Sequence, residues 1–187
     1  MVTKTSSSSR RVFLAGSVAA LAGVGSEALA AAPDAGLEAE AQAALKQLLA
    51  SNEAARIVSG KAKGVLVFPK VTKGGLVFGG QYGKGVLKVG KKVDGYYETV
   101  AGSWGLQAGV KTFSYALFFT TTAALERLKS SSGWELGADP SVVVVDEGAA
   151  KRITTTTVRD GVYAFVFGQK GLMAGVSLEG TKINRLK

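Results

Sequence analysis

Four short runs decide how this chain reads: Val65-Leu66-Val67-Phe68, Leu76-Val77-Phe78, Val86-Leu87-Lys88-Val89 and Tyr96-Tyr97-Glu98-Thr99-Val100. Each is rich in β-branched and aromatic residues and is set off by glycines, which predicts strands joined by tight turns. The glycine cluster from Gly79 through Gly80, Gln81, Tyr82, Gly83 and Lys84 to Gly85 reads as a hairpin inside that series. Residues 113–119 continue the pattern and residues 142–145 are wholly apolar. Residues 153–158 and 162–167 predict two further strands around an Asp160-Gly161 turn, and a glycine-rich strand over 172–183 closes the chain. Upstream, Asp34 can cap a helix whose apolar side is Leu37, Ala41, Ala44, Leu45, Leu48 and Leu49. A shorter helix follows Ser51, uses Ala54, Ala55, Ile57 and Val58, and stops at Gly60. Thr121 or Thr122 can cap another that runs through Leu125 and Leu128 to Lys129. The expected fold is α+β: a twisted, partly closed, mainly antiparallel β-sheet with one or two N-terminal helices packed on it.

Composition narrows the chemistry. The 187 residues include 25 Gly, no Cys and no His, and 23 Lys+Arg stand against 14 Asp+Glu for a formal net charge of +9. A hydrophobic content of 47% is that of a chain that buries a core. Without Cys or His there is no disulfide, thiol nucleophile, Cys/His zinc site, ordinary catalytic triad or proton shuttle titrating near neutrality. No metal or cofactor is expected.

The first thirty residues read as an address. Arg10-Arg11-Val12-Phe13-Leu14 after a serine run, followed by a small-residue apolar stretch, has the layout of a twin-arginine export signal. Ala28-Leu29-Ala30 offers a cleavage site, so residues 1–30 are expected to be a signal peptide and residues 31–187 one domain acting in the periplasm. The apolar stretch is too short for a membrane span, and lipidation of a cysteine is excluded.

Three segments share the form Gly-Leu-x-x-Gly: Gly75-Leu76-Val77-Phe78-Gly79, Gly105-Leu106-Gln107-Ala108-Gly109 and Gly171-Leu172-Met173-Ala174-Gly175. On a strand, positions i and i+4 share a face, so these glycines are expected to admit a neighbouring backbone and to curl the sheet.

Nucleotide chemistry fails on inspection. Gly85-Val86-Leu87-Lys88-Val89-Gly90-Lys91 has phosphate-loop spacing, but Lys92 stands where a Ser or Thr hydroxyl is needed. Asp139, Asp146, Glu147, Asp160 and Glu179 are the carboxylates near expected strand ends, with no sign of a catalytic pair. The stronger signal is electrostatic. Lys61, Lys63, Lys70, Lys73, Lys84, Lys88, Lys91 and Lys92 fall in one stretch free of acidic residues up to Val93. Lys61/Lys63 and Lys84/Lys88 have even spacing and would share strand faces, Lys70/Lys73 and Lys91/Lys92 fall in expected turns, and one basic edge results. Such an edge suits anionic lipid head groups, or it is a solubilising surface. Nucleic acid fits less well, since arginine is sparse and the chain is expected to leave the cytoplasm.

The ordered series of Lys61-Ala62-Lys63-Gly64-Val65, Lys73-Gly74-Gly75-Leu76, Gly83 with Gly85-Val86, Gly105 to Gly109, Leu136-Gly137-Ala138-Asp139 and Lys170 to Gly180 resembles the SYLF domain family over about residues 44–186. That resemblance implies a lipid-binding domain whose eukaryotic relatives bind phosphoinositides and in some cases actin filaments. It implies a basic entry at Lys61 and Lys63 and a structural glycine framework at Gly75, Gly105, Gly109, Gly171, Gly175 and Gly180, to which the internal repeat adds Gly79. Two motifs depart from the family: Gly95-Tyr96-Tyr97-Glu98 replaces a Gly-x-Trp-Ser-x-Pro turn, and Asp146-Glu147-Gly148-Ala149-Ala150 replaces Gly-Pro-x-Gly-Arg. The function expected is non-catalytic, peripheral binding to anionic phospholipid, with no actin partner for an exported chain. A structural or partner-binding envelope protein is the alternative, and a carboxylate-dependent enzyme stands third.

Overall fold

Asp34 is the first of the described residues. Its side chain accepts the Leu37 N–H at 3.0 Å and caps α1 (Ala35–Ser51). The chain then turns extended at Asn52, whose side chain accepts the Ala55 N–H at 2.9 Å and caps α2 (Glu53–Ser59). The structure, a computed structural model, describes residues 34–75, 78–104, 109–159, 161–170, 178 and 180–187. Arg10, Arg11, Gly105, Gly171 and Gly175 lie outside the described residues.

Four long strands follow: β1 (Gly64–Gly75), β2 (Phe78–Val89), β3 (Lys92–Trp104) and β4 (Gly109–Phe119). Helix α3 (Thr122–Ser130), capped by Thr121, leads to β5 (Trp134–Glu135) and β6 (Val142–Val145). After the one-turn α4 (Glu147–Ala150) come β7 (Val162–Lys170) and β8 (Lys182–Arg185). They form one sheet in the order β5-β8-β3-β2-β1-β4-β7-β6, antiparallel throughout except for the β6–β7 pair.

The sheet curls. Phe119 on β4 and Trp134 on β5 stand five strand spacings apart in that order, about 24 Å in a flat sheet. Their ring centroids are 5.8 Å apart. The concave face buries Leu66, Phe68, Leu87, Tyr97, Phe113 and Leu117 against Leu125 and Leu128 of α3. The convex face buries Val67, Val86, Tyr96, Phe118 and Phe165 under Ala41, Ala44 and Leu48 of α1 and under α2. Tyr96 ties the start of α1 to the sheet: its hydroxyl accepts the Asp34 N–H at 3.1 Å and donates to Glu38. The α+β expectation, with helices on a partly closed, mainly antiparallel sheet, describes this architecture.

Several local expectations do not. The glycine cluster from Gly79 to Gly85 lies inside β2, not in a hairpin turn. Its glycines admit neighbouring side chains. A Cβ on Gly85 would lie 2.6 Å from Phe68 Cδ1 and 2.8 Å from the Val67 carbonyl, and one on Gly83 would lie 2.8 Å from Val71 Cγ2 and from the Lys70 carbonyl. Lys70 and Lys73 are within β1 and not in a turn. Pro69 fits mid-strand because β1 changes register there against both neighbours.

Residues 153–158 form turns in place of a strand. Thr157 Oγ1 accepts the Thr154 N–H at 2.8 Å and donates to the Arg152 carbonyl at 3.0 Å, so threonine hydroxyls take backbone bonds that a ladder would otherwise use. Near the C-terminus only β8 is a strand among the described residues of the expected 172–183 segment.

Of the expected framework glycines, Gly79, Gly75 and Gly109 align in one row across β2, β1 and β4. Gly109 has φ +140° and Gly180 has φ +65°, and a Cβ on either would meet nothing within 4 Å. Backbone conformation, not close approach of another chain segment, is what asks for glycine there.

Candidate functional site

Strand alternation sorts the eight lysines onto different surfaces. Lys70 and Lys84 are direct cross-strand partners on the convex face, on the part of it that α1 and α2 leave exposed. Lys73 pairs with buried Gln81 and points to the concave side. Lys88 pairs with Val65 on the convex face but near the helices. Lys91 sits in the β2–β3 turn and Lys92 begins β3. Lys61 and Lys63 precede β1, where the Lys61 ammonium donates to the Thr155 carbonyl and the Lys63 N–H to the Phe119 carbonyl. Gly64, where β1 begins, is about 20 Å along the strand from Lys70. The expected single basic edge is therefore divided between two ends and two faces.

The open half of the convex face has its own order. One cross-strand row runs Lys182–Val100–Tyr82–Thr72–Thr112–Lys170, over β8, β3, β2, β1, β4 and β7. The row beside it runs Asn184–Glu98–Lys84–Lys70. On the other side lies Gly102–Gly80–Gly74–Val110, a strip almost without side chains. Tyr82 is 48% exposed and Val110 65%, two large apolar side chains left open to solvent on this face.

Lys70, Lys84, Lys170 and Lys182 are all exposed, and none has an ion pair among the described residues. The acid beside them, Glu98, accepts a hydrogen bond from Asn184 Nδ2 at 3.1 Å. Lys170 and Lys182 did not stand out in the sequence, because they lie some 80 to 110 residues from the lysine-rich run and only register brings them to it.

The carboxylates have structural work. Asp139 accepts from the Ser141 N–H at 2.9 Å, the Ser141 hydroxyl at 2.6 Å and Trp134 Nε1 at 3.0 Å, with Arg127 Nε at 3.6 Å. Burial alone would push its carboxyl up, but the two Ser141 bonds, Trp134 and Arg127 outweigh it and hold the group below its ordinary value. Asp146 accepts the Ala149 N–H at 2.6 Å at the start of α4. Asp160 and Glu179 lie outside the described residues. No helix among the described residues is long and apolar enough to cross a membrane.

The comparison with curated proteins finds no match to this chain. A family model does match: residues 100–187 fit the family described as Ysc84, Las17-binding protein actin regulator. The matched part begins at the end of β3 and contains the blocks from Gly105 to Gly109, Leu136 to Asp139 and Lys170 to Gly180, while Lys61 to Lys92 precede it. Over residues 100–187, a little under half of the chain, the sequence is similar to the Ysc84 family.

Proposed function

We propose that the protein is a non-catalytic, peripheral membrane-binding protein that docks the open half of its convex sheet face onto anionic phospholipid. The observation that carries this reading is the exposed array of Lys70, Lys84, Lys170 and Lys182 around Tyr82, on a sheet face with few side chains in the way. Each lysine near an anionic bilayer is worth about 1 kcal/mol, and a tyrosine with one wet end suits the interface. The family's description is that of a binding protein and not of an enzyme. The test is flotation of the purified domain with vesicles of graded anionic content. Binding that rises with anionic fraction and falls with salt supports the reading, because the attraction is screened within about 8 Å at physiological salt. Equal recovery with neutral vesicles contradicts it and leaves the lysines as a solubilising surface.

The site of action we propose is the periplasm, on the strength of the Arg10-Arg11 leader. Actin is not among the proposed partners for that reason. Replacing both arginines with lysine is expected to leave an unprocessed precursor in the cytoplasm, and normal processing of that variant would remove the export proposal.

A further inference from the structure

Four polar groups inside the curl of the sheet have no partner. They are Gln81 Nε2 and the hydroxyls of Thr99, Tyr115 and Thr181, each buried and without a hydrogen bond. Gln81 is 5% exposed and the other three residues 0%. Register gathers them on the concave face. Gln81 of β2 is opposite Ala101 of β3, Thr99 is one same-face step from Ala101, and Thr181 is one same-face step from Ile183, the residue opposite Thr99. Tyr115, stacked on Phe68 with ring centroids 4.6 Å apart, comes close enough to Thr99 for that hydroxyl to act on its phenol. Cross-strand steps are about 5 Å and same-face steps about 7 Å, so the four side chains rise around one small part of the concave surface. Buried polar atoms without partners are costly and rare in folded proteins, and four in one place point to an occupant. One side of the cluster has an approach: in the next concave row Gly79, Gly75 and Gly109 carry no side chain.

The chemistry of the cluster is one-sided. An amide N–H2 and three hydroxyls can all donate. Lys73, directly opposite Gln81 on β1, is half-buried and has no ion pair among the described residues, while Lys111 on its other side is already engaged. No acid occurs in β1, β2 or β4. Such a donor set takes an acceptor-rich group of low charge. One half-buried ammonium balances one negative charge, whereas a phosphate near −2 would bring a second, uncompensated charge out of water. A carboxylate has the single charge and about four lone-pair positions for the donors. We infer that Gln81, Thr99, Tyr115 and Thr181, with Lys73 at the rim, bind the carboxylate of a short-chain organic acid. Strand alternation puts this site on the opposite side of the sheet from Lys70 and Lys84, so it stands whether or not that face meets a membrane.

Saturation-transfer NMR with sodium acetate and the purified protein, at constant ionic strength, reads the site directly. Transfer to acetate that saturates at about millimolar concentration is expected, with a urea midpoint higher in acetate than in chloride. Thr99→Val keeps the side-chain shape and suits a strand. In chloride its midpoint should equal or exceed that of the wild type, because an unpartnered hydroxyl is gone, and it should bind acetate about fivefold more weakly. Lys73→Gln should weaken acetate binding about tenfold, whereas Lys91→Gln, in the β2–β3 turn, should leave it unchanged. Absence of saturable transfer to the wild type overturns the inference and leaves the cluster to ordered water. Equal binding by Thr99→Val and the wild type overturns it as well, by placing acetate on surface lysines. Octanoate that binds much more tightly than acetate would make the interior an acyl-chain site, and inorganic phosphate that displaces acetate at equal concentration would make it a general anion site; either result contradicts the inference.

Discussion

Lys70 and Lys84 stand directly opposite one another on antiparallel neighbouring strands, both exposed and without an ion pair among the described residues. A sheet selected for stability alone would place an acid or a threonine at one of these positions, since opposed like charges cost roughly 0.2–1 kcal/mol. Lys70→Gln is therefore expected to raise the urea midpoint slightly while it weakens vesicle binding. A lowered midpoint would show that the pair is not in repulsion and that the lysine packs along the sheet.

Gly85 makes room for Phe68 beside that pair. Phe68 lies across it, so Gly85→Ala places a methyl 2.6 Å from the ring and 2.8 Å from a backbone carbonyl that cannot swing aside. The expected loss is about 1–3 kcal/mol. Gly102→Ala is the control, since its Cβ meets nothing within 4 Å and its φ is not positive. Equal midpoints for the two variants in urea denaturation would mean that Phe68 does not occupy the space over Gly85.

Asp139 gives stability an acid-side limit. Its folded-state pKa is below the unfolded value, so its contribution is complete above the unfolded carboxylate range, near pH 4, and is lost as pH falls through the lower folded value. Asp139→Asn should cost about 1.5–3 kcal/mol at pH 7, from weakened bonds to Ser141, Trp134 and Arg127. The gap between variant and wild type should close as pH falls below 4. A gap that stays constant with pH would mean the carboxylate charge is not what those donors hold.

The helices were legible because their signals are local. Asp34 and Thr121 cap where side chains three residues from an orphan N–H predict, and the spacing of Ala41, Ala44 and Leu48 marks the buried side of α1. The sheet was legible in class but not in extent. Gly83 and Gly85 look like punctuation in the chain, yet their reason lies on β1, in Phe68 and Val71, which no local window connects to them.

The lysine run misled for a related reason. A two-residue period sends Lys70 and Lys73 to opposite faces, whereas Lys170 and Lys182 arrive beside Lys70 and Lys84 through pairings with β4 and β3. The run of threonines at residues 154–157 has strand composition, but hydroxyl bonds to its own backbone hold it in turns.

The central claim, that one face and not net charge holds the membrane, is tested most directly by two charge-matched quadruple variants in one vesicle-partitioning assay. The first carries Lys70→Gln, Lys84→Gln, Lys170→Gln and Lys182→Gln; the second carries Lys61→Gln, Lys63→Gln, Lys91→Gln and Lys92→Gln. At half of about 1 kcal/mol per lysine, the first should lose roughly thirtyfold in partitioning onto anionic vesicles. The second should lose less than about threefold, because its lysines lie beyond a Debye length from the docked surface. Equal losses from the two variants, or a larger loss from the second, would contradict the account.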